Sequence, residues 1–217
     1  MYAAVNGTKI YYEIIGKGRP LIMMHGNGED HTIFDVAAGK LREKYKVYLI
    51  DTRGHGKSDK VEEYHYKDMA DDMIAFMRML NLSDVIFYGF SDGGIVGLLL
   101  AMKSERISRL IVSGANLKFA GLTKRCRFLI RFLYFFSRDP KLKMMIKEPD
   151  IDVLDLSQIK AKTTVLAGQR DLVSEEETRR IAASIPGAKL RILEGEGHGS
   201  YIVHNGKIAD LILEELN

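Results

Sequence analysis

A serine between two glycines is the strongest chemical signal in this 217-residue sequence. The segment GFSDG at residues 89–93 follows the apolar run 85–88 and precedes a second apolar run at 94–101. A strand, a sharp turn and a helix in that order would hold the Ser91 hydroxyl above a sheet, with helix N–H groups available to an oxyanion. The pattern predicts that Ser91 is a nucleophile, and a helix N-cap serine is the alternative interpretation.

A serine hydroxyl becomes a good nucleophile only when a nearby base takes its proton and a third group orients that base. The sequence has six histidines, at positions 25, 31, 55, 65, 198 and 204. His198 lies in the glycine-rich segment GEGHG (residues 195–199), directly after the predicted strand 189–193. We predict His198 as the base; His204, which we expect inside a final helix over residues 201–216, is the alternative.

The orienting acid should follow a strand that lies between the serine and the histidine in the sequence. Asp171 fits this requirement because it comes shortly after the predicted strand 163–167. The earlier predicted strand 107–113 is followed by Gly-Ala-Asn, which offers no carboxylate. We therefore predict Asp171 as the orienting acid, the alternative being an aspartate at the start of the predicted helix 175–184.

Nucleophile, acid and base thus occur in the order Ser91, Asp171, His198, which is the order found in α/β-hydrolases. The segments HGNG (25–28) and DTRGHGKS (51–58) also resemble loops of that superfamily. The chain resembles the α/β-hydrolase superfamily over nearly its whole length, the basic segment described below excepted. Dehalogenases and epoxide hydrolases of the superfamily have an aspartate as nucleophile. Ser91 at that position argues against both of those activities.

The resemblance implies a site and a reaction. The backbone N–H groups of Asn27 and Asp92 would form the oxyanion hole, while Asp51, Arg53 and Ser58 are interpreted as scaffold. The implied reaction is acyl transfer to water without a metal or organic cofactor. A carboxylic ester with a small or medium acyl group is the expected substrate; thioester, peracid and carbon–carbon bond hydrolysis stay open, as does a slow-turnover ligand-binding protein.

The pattern of elements predicts an α/β fold. Short apolar strands alternate with helical patterns, which indicates a mostly parallel, doubly wound sheet covered on both faces. An Asn-Gly pair at residues 6–7 predicts an antiparallel hairpin at the N-terminal edge. We expect one domain over residues 1–217, with a small helical cap inserted at about 117–158.

The net charge of +3 conceals a strongly basic segment. Residues 118–147 contain nine Lys or Arg and one acid, Asp139. The favoured interpretation is a cap helix that packs an aromatic face over the site. The candidates for contact with the substrate are Phe128, Phe132 and Arg131. Helical spacing places four cations on one stripe: Lys124, Arg127, Arg131 and Arg138. Contact with an anionic membrane and recognition of an anionic acyl substrate are the two alternatives.

Other protein classes lack their signatures. Cys126 is the only cysteine, so neither a disulfide framework nor a cysteine metal site is expected, and a cytoplasmic location is predicted. No dinucleotide-binding or Walker glycine pattern, no zinc-binding His-Glu-x-x-His and no signal-peptide pattern occurs. We expect a small-molecule acyl substrate and no nucleic-acid partner, and the sequence leaves the oligomeric state open.

Overall fold

The computed structural model describes residues 1–216 and begins with a two-stranded hairpin. Strands β1 (Tyr2–Val5) and β2 (Thr8–Ile15) are antiparallel. Asn6 and Gly7 between them have φ angles of 45° and 77°, as the tight turn favoured in hairpins requires. The predicted hairpin is therefore confirmed.

The hairpin extends a sheet of six parallel strands. These are β3 (Arg19–Met24), β4 (Tyr45–Ile50), β5 (Val85–Phe90), β6 (Ile107–Ser113), β7 (Lys162–Arg170) and β8 (Lys189–Gly197). The order across the sheet is β1-β2-β4-β3-β5-β6-β7-β8, with only the hairpin strands antiparallel to their neighbours. This arrangement confirms the predicted fold class, and it places the carboxyl ends of six parallel strands at one edge, where α/β proteins bind ligands.

Helices cover both faces of the sheet. They are α1 (Asp35–Leu41), α2 (Tyr66–Met79), α3 (Asp92–Lys103), α4 (Lys124–Ser137), α5 (Pro140–Lys147), α6 (Glu175–Ser184) and α7 (Lys207–Leu216). Met73, Val96 and Ile181 place α2, α3 and α6 in one apolar cluster. Leu41 and Ile212 place α1 and α7 in a second cluster. The two clusters bury the sheet from both sides.

The predicted final helix over 201–216 is wrong at its start. Residues 201–204 form turns, and His204 has a φ of 48°, which no helix residue adopts. The side-chain oxygen of Asn205 accepts the Lys207 N–H at 2.9 Å and marks the true helix start. His204 therefore lies outside the helix, and its Nδ1 is 3.0 Å from a carboxylate oxygen of Asp35, on the surface.

The segment between β6 and β7, here called the cap segment (residues 117–158), contains α4 and α5. A small apolar cluster attaches it to the rest of the chain: Leu122, Cys126, Ile130 and Val173. Arg138 follows α4 in a left-handed conformation, with a φ of 54°. The predicted stripe of four cations is therefore wrong at its last member, because Arg138 is not part of the helix.

No helix within residues 1–216 is both long enough and apolar enough to cross a membrane. The cytoplasmic location and the single-domain assignment stay predictions.

Candidate active site

Ser91 occupies the sharp turn between β5 and α3. Its φ of 53° and ψ of −115° form a conformation that residues with a side chain rarely adopt. Main-chain hydrogen bonds hold the turn: the Ser91 N–H donates to the Ser113 carbonyl at 2.7 Å, and the Ser91 carbonyl accepts from Gly94 and Ile95. The turn raises the Ser91 hydroxyl above the carboxyl edge of the sheet.

The two glycines of the turn are required by close backbone approach. A Cβ at Gly89 would lie 2.1 Å from the Gly93 carbonyl oxygen, and a Cβ at Gly93 would lie 2.3 Å from that of Met24. Neither neighbour is a side chain that could rotate away. The glycine positions of the sequence pattern therefore follow from packing.

Asp171 and His198 follow the ends of two adjacent strands. β7 and β8 run further than the strands predicted from the sequence, because after a register shift Arg170 still pairs with Gly197. Asp171 directly follows β7, and His198 directly follows β8. The pairing that extends both strands therefore brings the acid and the base together.

The structure brings the three predicted residues into one hydrogen-bonded chain. The Ser91 hydroxyl lies 3.0 Å from His198 Nε2, and His198 Nδ1 lies 2.6 Å from an Asp171 carboxylate oxygen. With the proton on Nδ1, the imidazole donates to Asp171 and accepts from Ser91. The His198 side chain is 18% exposed and that of Asp171 only 2%, so solvent reaches the base but hardly the acid.

Asp171 is held ionised by its hydrogen bonds. Burial alone would raise the pKa of its carboxyl, but donors from His198, Val173 N–H and Gly168 N–H together lower the pKa below the ordinary value. An ionised Asp171 fixes the tautomer of His198 and favours the imidazolium that forms when Ser91 loses its proton.

Two neighbours confine the imidazole of His198. The Phe90 ring packs against it, with centroids 4.9 Å apart. On another side lies Gly114, which has a φ of 62° and directly follows β6. A Cβ at Gly114 would lie 2.6 Å from His198 Cε1, so a side chain there would displace the ring.

The two predicted oxyanion donors come from different parts of the chain: Asn27 lies in the loop after β3, and Asp92 directly follows Ser91. Within residues 1–216, the backbone N–H groups of Asn27 and Asp92 have no hydrogen-bond acceptor in the protein. Asp92 is the first residue of α3, where the helix dipole adds positive potential. Both groups can therefore donate to an oxygen that becomes negative beside Ser91.

His25 holds the loop that carries Asn27. Its Nδ1–H donates to the Gly26 carbonyl at 2.7 Å, and its Nε2 accepts the Thr52 N–H at 3.1 Å. The ring thereby connects the end of β3 to the end of β4. Burial lowers the pKa of His25 to about 4, so the ring is neutral at pH 7 and suits both bonds.

The side chain of Asp92 belongs to a buried network that the sequence did not reveal. One carboxylate oxygen accepts from Asn27 Nδ2 and the other from the Tyr66 hydroxyl, each at 2.8 Å. Burial raises the pKa of Asp92, and these two donors oppose that shift. The network connects both oxyanion donors to α2 and restrains the loop that carries Asn27.

Glu29 is a second residue beside the site that the sequence did not indicate. It accepts the Gly26 N–H at 2.9 Å, and burial raises the pKa of its carboxyl. A Cβ at Gly26 would lie 2.8 Å from Glu29 Oε2 and 3.0 Å from Ser91 Cβ, so all three residues meet at one point. Its position three residues after Gly26 carries no recognisable motif.

One group of possible metal ligands occurs among the described residues, formed by Asp30, His31 and Asp51. Asp51 Oδ1 already accepts from the His31 N–H and ring, and its Oδ2 accepts from the Lys57 N–H. These bonds satisfy the carboxylate and tie the loop after β4 to the turn before α1. The group therefore fits a structural role better than a cation site.

The substrate-contact candidates of the cap segment are exposed. Phe128 and Phe132 are 72% and 51% accessible, and Arg131 lies over the Phe119 ring at 5.2 Å. The expectation that the aromatic face packs over the site is wrong, because the buried side of α4 carries Cys126 and Ile130 instead. Contact of Phe128, Phe132 or Arg131 with substrate stays a prediction.

Comparison with known proteins agrees with this geometry. A curated relative, the AB hydrolase superfamily protein YisY of Bacillus subtilis (strain 168), is 25% identical over 96% of this chain and 95% of its own length. The 3-oxoadipate enol-lactonase 1 of Acinetobacter baylyi is 30% identical over 45% of this chain and 37% of its own length. Among solved structures, an esterase from Exiguobacterium antarcticum superposes with a TM-score of 0.80 at 26% identity, covering 98% of this chain and 97% of that one.

The family model described as "alpha/beta hydrolase fold" matches residues 19–143, which is more than half of the chain. This range includes the Ser91 turn and the loop with Asn27, and the acid and base follow it at the expected strand ends. The chain therefore belongs to the α/β-hydrolase family of hydrolytic enzymes.

Proposed function

We propose that this protein is a serine carboxylesterase that cleaves esters with small or medium acyl groups through an acyl-enzyme intermediate. The observation that carries the proposal is the hydrogen-bonded chain from Ser91 through His198 to Asp171. The backbone N–H groups of Asn27 and Asp92 have no acceptor within residues 1–216. Nucleophile, base and oxyanion donors are the parts that acyl transfer needs.

Acylation begins when the Ser91 oxygen attacks the ester carbonyl carbon. His198 Nε2 takes the hydroxyl proton, and the carbonyl oxygen becomes an oxyanion that accepts from the Asn27 and Asp92 N–H groups. A single donor of this kind lowers the barrier by about 3–4 kcal/mol. When the tetrahedral intermediate collapses, the bond to the alkoxy oxygen breaks and His198 gives its proton to the leaving alcohol.

Deacylation repeats the same steps with water. His198 removes a proton from the water as its oxygen attacks the acyl carbon, and the oxyanion again forms at the two N–H groups. Collapse breaks the bond to the Ser91 oxygen, which recovers its proton from His198. Deacylation consumes one water molecule and releases one carboxylic acid, the alcohol having left during acylation.

The choice of ester over other acyl compounds rests on the relatives. An esterase and an enol-lactonase are among the proteins that this chain is similar to, and both names describe cleavage of a carbon–oxygen ester bond. The partial exposure of the His198 side chain, 18%, supports a site that is open to solvent, which suits small substrates. Thioesters, peracids and activated carbon–carbon bonds could react at the same three residues.

The first test is covalent labelling with a fluorophosphonate, located by mass spectrometry. We expect stoichiometric label on Ser91 of the wild type and none on Ser91→Ala or His198→Ala. Esterase turnover should fall by about 10⁶-fold in either variant, because the residues act as a unit. His204→Ala, a surface histidine away from Ser91, serves as the matched control and should label normally.

A panel of p-nitrophenyl esters and matching thioesters of increasing chain length then tests the bond type and the acyl size. We expect kcat/KM to be highest for oxygen esters with short or medium chains. A folded wild type that resists the fluorophosphonate would contradict the serine-hydrolase mechanism itself. Labelling with preference for thioesters would contradict only the choice of bond.

A further inference from the structure

Helix α4 exposes a continuous row of aromatic side chains to solvent. The exposed fractions of its four phenylalanines lie between 51% and 72%: Phe128, Phe132, Phe135 and Phe136. Neighbouring rings touch, with centroids 5.0 Å apart for Phe132 and Phe136 and 5.1 Å apart for Phe135 and Phe136. An uncovered apolar row of this size marks a surface that meets another apolar phase.

The cations around this row lack acidic partners. Within the described residues, Lys118 is the one cation of the nine Lys and Arg at 118–147 that forms an ion pair, with Asp150 at 2.7 Å. The other eight have no carboxylate partner within the described residues 1–216. Asp139, the single acid of the segment, uses its carboxylate to accept the Lys141 N–H at the start of α5. The surface is therefore both apolar and strongly positive.

Helix geometry places the two properties side by side. Phe128, Phe132 and Phe135 follow one another at spacings of four and three residues, so they share one stripe. Lys124, four residues before Phe128, continues this stripe at the first turn, Arg125 lies beside it, and both are exposed. With its 14 residues, α4 is about 21 Å long, which suits a helix lying flat at an interface.

The charge distinguishes between possible occupants of this face. A second copy of the chain, meeting the first about a two-fold axis, would bring two sets of uncompensated cations together. A phosphate-bearing lipid surface offers the opposite charge, together with an apolar layer that can accept phenylalanine rings.

We infer that α4 docks the protein onto an anionic membrane surface, with the phenylalanine row in the acyl layer and Lys124, Arg125 and their neighbours at the headgroup phosphates. The docking surface does not depend on the reaction at Ser91, because none of its residues takes part in the triad. Binding and hydrolysis can therefore fail separately.

The test is co-sedimentation of the full-length Ser91→Ala protein with vesicles, a variant that prevents hydrolysis during the assay. The probes are vesicles of phosphatidylcholine alone and vesicles that also contain phosphatidylglycerol. We expect binding to the phosphatidylglycerol vesicles only, and loss of binding at about 1 M salt, where the screening length is about 3 Å.

Substitutions separate the apolar and the charged contributions. Phe135→Ser combined with Phe136→Ser should weaken binding at least about tenfold, and Arg125→Glu about tenfold or more, since each cation near such a surface contributes about fivefold. Leu154→Ser is the matched control, because Leu154 is 75% exposed and lies outside α4. It should bind as the parent does, and circular dichroism should show that all variants are folded.

Two results would overturn the inference. One is the absence of binding to phosphatidylglycerol vesicles. This result overturns the inference if size-exclusion chromatography finds a monomer, and equally if it finds a dimer that the Phe135→Ser/Phe136→Ser variant no longer forms. The other is unchanged binding of that variant and of Arg125→Glu, which would place the lipid contact elsewhere on the protein.

Discussion

The carboxyl edge of the sheet and the outer face of α4 satisfy their side chains in opposite ways. At the sheet edge, Asp171 accepts three hydrogen bonds and His25 uses both ring nitrogens. On α4, large apolar rings lie exposed and several cations have no carboxylate partner within residues 1–216. The contrast indicates that the sheet edge is organised to hold side chains in a fixed geometry, and that the outer face of α4 is organised to contact another molecule or surface.

Replacing Asp171 by Asn should give a large change at the sheet edge, exceeded only by the loss of Ser91 or His198. The amide cannot favour the required tautomer of His198, so we expect kcat/KM with a short-chain ester to fall about 10⁴-fold. Ser91 and its turn would remain in place, so loss of the nucleophile would not cause the drop. An activity loss of less than tenfold would show that the hydrogen bond to His198 is not used in catalysis.

The stability of the sheet edge should depend on pH through His25. Its pKa is about 4 in the folded protein against an ordinary value of 6.5, so the unfolded chain binds the proton first as the pH falls. The free energy of unfolding should therefore drop by about 3 kcal/mol between pH 6.5 and 4 from this residue alone. Urea unfolding should show a shallower pH dependence for His25→Asn than for the wild type; parallel profiles would contradict this account.

Gly114→Ala tests how closely the site confines the imidazole. The new methyl group would lie 2.6 Å from His198 Cε1, and the φ of 62° adds backbone strain. Because a displacement of about 1 Å can cost a hundredfold in rate, we expect a drop of about that size in kcat. Gly187→Ala also places a side chain at a positive φ, 67°, but in an open surrounding before β8 and away from the site, and it serves as the control for strain alone.

Substitutions on the exposed face of α4 should have the smallest effect of those predicted here, and that effect is on stability. Phe135→Ser and Phe136→Ser each remove a side chain that is more than 60% exposed, so the free energy of unfolding should change by no more than about 0.5 kcal/mol. Denaturant unfolding measures this directly. A loss above about 2 kcal/mol would mean that the rings pack against the protein, and the contrast between the two regions would fail.

The sequence predicted the site where local signals coincide with strand ends. Ser91, Asp171 and His198 stand out because turn residues follow short apolar runs, and parallel strands end at one edge. The predicted start of the final helix, α7, was wrong because apolar residues such as Tyr201 and Ile202 continue the helical spacing through a turn. Asn205, whose side chain accepts the first N–H of the helix, was the signal that could have corrected the boundary.

The remaining features depend on distant parts of the chain. The bonds from Tyr66 and Asn27 to Asp92 join residues that are 26 and 65 positions away from it. The exposure of Phe128 depends on how much chain covers α4, which periodicity along one helix cannot report. Such pairings arise from tertiary packing, and a single sequence carries no local record of them.

The position of β8 at the end of the strand order has a consequence for how the enzyme can lose activity. An outermost strand opens more readily than a central one. Opening of β8 would withdraw His198, while Ser91 would stay at the end of the internal strand β5. Local unfolding at one edge would then switch off proton transfer before the protein as a whole melts. Amide hydrogen exchange faster in residues 189–197 than in 85–90 would reveal this opening, and equal protection of the two strands would exclude it.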